Sequence, residues 1–68
     1  MRYSFETIGE NAGKVWNFLN ENGVQSLKTI VDGTDLKKDD VLLVLGWLFR
    51  EEKLGSEKKG RTVVFFLK

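Results

Sequence analysis

The spacing of apolar residues changes period once along this chain, and that change limits the folds open to it. From Ile8 to about Glu52 they recur every three or four positions, the repeat of a helix face; beyond Leu54 that repeat is gone, and the apolar residues gather in one short run, Val63 to Leu67, behind a Lys58-Lys59-Gly60 turn, as in a strand. A chain of 68 residues has room for one hydrophobic core. Helices and strands must therefore share it. The expected class is α+β, a single domain over residues 1–68 with helices first and a ribbon last.

The first helix is the clearest element. Thr7 and Glu10 have capping-box spacing, and Ile8, Ala12, Val15 and Leu19 form an inward stripe. Trp16 adjoins that stripe and is expected in the core, while Glu10, Lys14, Asn17 and Glu21 line the opposite face. Gly23 reads as a left-handed C-terminal cap. A short second helix follows, capped by Ser26, with Leu27, Ile30 and Val31 inward and Gly33 as its stop. Gly33 to Lys37 is then a tight turn with Leu36 as a buried plug.

The third helix is expected from about Lys38 to Glu52. Asp39 and Asp40 near its start and Arg50 near its end complement the helix dipole. Leu54–Glu57 and Arg61–Lys68 read as two strands around a Lys58-Lys59-Gly60 turn. Val63, Phe65 and Leu67 share one strand face; Thr62, Val64 and Phe66 share the other. Arg2 to Phe5 is a candidate further strand, because Tyr3 and Phe5 alternate. Gly13 and Gly46 interrupt helices, each at about 1 kcal/mol relative to Ala, and read as packing notches.

Two successive helices joined by a short glycine-containing turn make a helix-turn-helix, and a following hairpin is its wing. The pattern therefore predicts a winged helix-turn-helix: a three-helix bundle with a C-terminal two-stranded β-hairpin. Two blocks of sequence, Ile8-Gly9-Glu10-Asn11-Ala12-Gly13-Lys14-Val15-Trp16 and Leu45-Gly46-Trp47-Leu48-Phe49-Arg50-Glu51-Glu52-Lys53-Leu54, also resemble a small prokaryotic winged helix-turn-helix family. That family is classed as a domain of unknown function. The resemblance spans nearly the whole chain and implies the fold and a link to nucleic acid or transcriptional regulation. It brings no ligand and no catalytic residue. Such proteins tend to carry a small hydroxyl residue where Lys37 stands; the cap is weaker here, or Asp35 or Asp39 replaces it.

Composition narrows the chemistry. With no Cys and no His, disulfides, thiolate or imidazole catalysis and the common zinc sites are excluded. No glycine-rich phosphate loop follows a strand and no carboxylate pair converges, so neither an enzyme nor a cofactor is expected. No leader-like segment opens the chain and no apolar run could span a bilayer, which points to the cytoplasm and away from membranes. Eleven basic against ten acidic side chains leave +1, so no global field draws the protein to nucleic acid. The cations nevertheless concentrate: residues 37–68 carry eight bases and five acids.

Double-stranded DNA is the first candidate partner. A recognition helix presents the polar residues of its N-terminal part to base edges, here Lys37, Lys38, Asp39, Asp40 and Leu43, with Arg50 further along. Lys58, Lys59 and Arg61 in the wing would meet phosphates. Each cluster also has a plain reading, as solvated first-turn charges or as charges that blunt a strand edge.

A protein partner or homodimer is the alternative. At 100° per residue Val41, Leu42, Leu45, Leu48 and Phe49 fill an inward arc of about 120°, yet Leu43 and Trp47 fall on the far side. Leu43, Trp47 and Phe66, which lies across the strand from Phe65, are the candidate interface residues.

Overall fold

The computed structural model describes residues 5–68. It contains α1 (Phe5–Asn22), β1 (Gln25–Ser26), α2 (Leu27–Thr34), α3 (Lys38–Arg50), β2 (Leu54–Lys59) and β3 (Thr62–Leu67). The α+β class, the three helices and the C-terminal hairpin agree with the sequence reading. Of the candidate N-terminal strand, Arg2 to Ser4 lie outside the described residues, and Phe5 opens α1. Thr7 therefore sits inside the helix rather than at its cap, with Glu6 as the acidic first-turn residue.

One core joins the elements. Ala12, Val15 and Leu19 of α1 meet Ile30 of α2, Val41, Val44, Leu45 and Leu48 of α3, and Leu54 of β2. Phe18, Leu27, Val31, Leu36, Phe65 and Leu67 close its edges. The buried stripe of α3 runs i, i+3, i+4, i+7, and it is rotated from the expected arc. Val44 is inside, while Leu42 and Phe49 are exposed. A helix apolar almost all round does not reveal which way it faces; packing against α1, α2 and β2 decides it. Phe49 instead meets Phe65 edge to face, with centroids 6.1 Å apart.

The sheet has three strands in the order β1-β3-β2, all antiparallel. β1 is an addition to the expected ribbon: Gln25 pairs with Phe65 and Ser26 with Val64. Ser26 then caps α2, its hydroxyl accepting from the Thr29 amide at 3.3 Å. In the hairpin Lys58 pairs with Val63 and Lys59 with Thr62, so both lysines belong to β2 and the loop is Gly60-Arg61. Gly60 has φ +62, which a two-residue hairpin loop with glycine first requires.

Gly23 closes α1 in the left-handed conformation expected of it (φ 76), whereas the end of α2 departs from expectation. α2 passes through Gly33 and stops at Asp35, which is left-handed (φ 59) and donates its amide to Val31 O. Gly33 has another task, since a Cβ there would run into the Phe18 ring; Gly55 likewise lies under Phe66, its cross-strand partner. Gly13 and Gly46 are not notches: a Cβ at either meets nothing within 4 Å among the described residues. The N-terminus of α3 carries no side-chain cap, because the Lys37 ammonium has nothing with which to accept.

The C-terminus of α3 is closed by two nested bonds, Glu52 N–H to Phe49 O and Lys53 N–H to Leu48 O, each 3.0 Å. That geometry holds Glu52 at φ 58, a conformation costing a residue with a Cβ about 1–2 kcal/mol. Glu52→Gly is therefore expected to stabilise the domain by up to about 1 kcal/mol, a rise of roughly 4–8 °C in Tm at this size. Calorimetry showing a lower Tm would contradict that assignment of strain.

Candidate nucleic-acid interface

All six sequence-predicted cationic contacts are exposed, but they do not form one patch. Lys37 and Lys38 stand together where α3 begins after the three-residue connection Asp35–Lys37. Arg50 ends the same helix, about 18 Å further along its axis at 1.5 Å per residue. It lines a cleft of about 300 Å³ with Ile8, Leu42, Leu43, Gly46 and Trp47. Arg50 therefore belongs with the apolar surface of α3 rather than with the lysines.

The wing cations are divided by strand alternation. Lys58 lies opposite Val63, on the sheet face that continues to Phe65 and Leu67 and so to the helices. Lys59 lies opposite Thr62, on the face shared with Val64 and Phe66. Arg61 occupies the hairpin loop between them. Only Lys58 of the two strand lysines is on the helix side of the sheet.

The interface candidates separate in the same way. Leu43 and Trp47 are 39% and 36% exposed on the outer side of α3, whereas Phe66 is half-buried over Gly55 on the far face of the sheet. Trp16, expected in the core, is 39% exposed. It shares a second cleft of about 300 Å³ with Gly9, Ala12, Gly13, Trp47, Leu48, Glu51 and Lys53. Position 16 follows Val15 by 100°, enough to carry a large ring off the buried stripe. A third cleft, about 240 Å³, separates α2 from the start of α3 and is lined by Leu27, Lys28, Val31, Asp32 and Lys38. Lys28 escaped the sequence reading; its one signal was a cation in the first turn of a helix, where acids are favoured.

Among the described residues no cluster of His, Cys, Asp or Glu could hold a metal ion, and no helix is long and apolar enough to cross a membrane.

Helices α2 and α3 across a short turn, with a three-stranded sheet whose hairpin projects beyond the core, define a winged helix-turn-helix domain. The chain belongs to the family described as winged helix-turn-helix domain (DUF2582), which it matches over residues 2–67. No curated protein matches it. Among solved structures it is similar to BT2368 from Bacteroides thetaiotaomicron, at 34% identity over 91% of this chain and 76% of that one, TM-score 0.83. The Zalpha domain of Carassius auratus PKZ, solved in complex with Z-DNA, aligns at 24% identity over 90% of this chain and 97% of that one, TM-score 0.79. Bordetella bronchiseptica BpsR, whose DNA binding is regulated by 6-hydroxynicotinic acid, aligns at 20% identity and TM-score 0.83, over 97% of this chain and 52% of that one. The last two likenesses establish the fold alone.

Proposed function

We propose that this domain binds double-stranded DNA, with the start of α3 at the groove and the hairpin on the backbone, in the manner of a transcriptional regulator. The observation that carries the reading is the exposure of Lys37, Lys38, Lys58, Lys59 and Arg61 on the two elements that a winged helix-turn-helix offers to a duplex. The recorded DNA complexes of proteins sharing the fold support it. Phosphate neutralisation needs exposed cations more than it needs exact geometry, and the lysines of both elements are exposed.

One surface favours a second reading, in which a second copy of this chain packs on the outer side of α3. Leu42, Leu43 and Trp47 of α3 and Trp16 of α1 are exposed around two adjoining clefts, with Arg50, Glu51 and Lys53 around them. Rim charges of both signs permit a self-complementary isologous contact.

One experiment tests both readings, an amide-shift titration with a mixed-sequence duplex at low ionic strength. Shifts gathered at Lys37 to Asp40 and at Lys58 to Arg61 are expected, and they should fade as salt rises. Absence of any shift at high-micromolar protein sinks DNA binding. Concentration-dependent broadening centred on Leu43 and Trp47 without DNA establishes the dimer, and its absence at millimolar protein removes it.

A further inference from the structure

We propose that the cleft between α2 and α3 is a phosphate site, in which Lys28 and Lys38 together hold one backbone phosphate of the duplex. The proposal rests on the DNA-binding reading above and adds to it a contact from α2. The two lysines come from different helices of the helix-turn-helix and line the same cleft of about 240 Å³. Against about 30 Å³ per water molecule, that space holds a phosphate group and several waters. Leu27 and Val31, half-buried against the core, form its apolar wall. Apolar walls of this kind take the methylene stems of lysines and leave the ammonium groups at the polar edge. Asp32 is the one carboxylate in the lining, so two cations and one anion leave the cleft with an excess positive charge.

The placement of these charges runs against helix stability. A helix favours acids in its first turn and bases in its last. α2 has neither; it has Lys28 in the first turn and Asp32 near the end. Lys28 precedes Asp32 by four residues, the less favourable order for an acid–base pair on a helix. Lys38 likewise stands in the first turn of α3, ahead of Asp39 and Asp40, the acids that this helix start does favour. Both lysines therefore oppose the dipoles of their own helices. An anion between them reverses the sign of that effect, because both helix starts favour negative charge.

The site also explains how α3 could be held in register. A phosphate gripped from α2 and α3 together fixes the recognition helix against the backbone, which a contact from α3 alone would leave free to pivot. Contacts of this kind position the protein and carry no base preference.

The test is binding of a fluorescent 20-base-pair duplex by the full chain as salt is varied, with melting temperatures measured in parallel. Each phosphate contact contributes about 0.9 to the slope of log K against log salt. Lys28→Ala is expected to weaken binding with little change in that slope, because Lys38 still neutralises the shared phosphate, while leaving Tm unchanged or higher. The Lys28→Ala/Lys38→Ala double variant should lose about 0.9 in total, as one shared phosphate requires, rather than twice that. Asp32→Asn should tighten binding. Lys14→Ala, on the outer face of α1, should match the wild type.

Failure of the wild type to bind duplex sinks the underlying reading itself. Wild-type affinity in Lys28→Ala, or a double-variant loss of about 1.8 in slope, overturns the shared site while DNA binding stands. A lower Tm in Lys28→Ala assigns the lysine a structural role and also overturns it. Saturable shifts at Lys28 and Lys38 with millimolar inorganic phosphate, unaffected by duplex, would reassign the cleft to a free anion.

Discussion

Ile30→Ala is expected to cost about 2–5 kcal/mol, among the largest effects of a single truncation in the described residues. Domains are stable by roughly 0.05–0.15 kcal/mol per residue, or about 3–10 kcal/mol at this length. The variant should therefore be partly or wholly unfolded at room temperature. Ile30 has no exposed surface and is the one buried residue of α2. An eight-residue helix has too few turns to hold itself together without docking. Loss of the side chain also loosens what α2 positions: Ser26 in β1, which caps it, and Lys38, which follows it by a three-residue connection. Urea titration followed by circular dichroism measures the change. A cost below about 1 kcal/mol would mean that Phe18, Leu27 and Val31 collapse into the cavity, and that the core is less rigid than its packing implies.

The parts of this fold legible in the sequence were those with a period. The α1 stripe of Ala12, Val15 and Leu19, the Ser26 cap and the end of the helical repeat before Leu54 each declare themselves within a few residues. β1 could not be read that way. It has two residues, and its partners Val64 and Phe65 lie about forty positions away, so only the folded chain reveals the pairing. The stops at Asp35 and Glu52 were hidden for a different reason. Left-handed closure usually selects glycine, and here ordinary residues accept the strain while Gly33 provides clearance for Phe18.

The candidate site was legible as a set of cations and not as a surface. Lys58 and Lys59 are neighbours in sequence, and the strand places them on opposite faces. Lys38 and Arg50 share a helix, and its length puts them at opposite ends. Trp16 shows the same limit for apolar residues: adjacency to a buried stripe is not membership of it. Lys28 is separated from Lys38 by ten positions and the end of a helix, yet the helix-turn-helix brings both to one cleft.

These placements determine the largest expected functional effect. Removing Lys37, Lys38, Lys58 and Lys59 together, each to alanine, should weaken duplex binding by up to about four-thousandfold at 0.1 M salt. A slope of about 0.9 per phosphate contact makes each worth roughly eightfold at that salt, relative to the 1 M limit. The loss should converge toward zero as salt approaches 1 M, because what is lost is counterion release and not shape. Helical circular dichroism should be unchanged, since all four side chains are exposed. Within the set, Lys58→Ala should cost more than Lys59→Ala, because Lys58 alone lies on the helix side of the sheet. Arg50→Ala should cost less than Lys37→Ala or Lys38→Ala, since Arg50 lines the apolar cleft with Trp47 and Leu43 at the far end of the helix. A quadruple variant that binds with the wild-type slope would separate this domain's function from its cations. The exposed apolar face of α3 would then be left as the surface that acts.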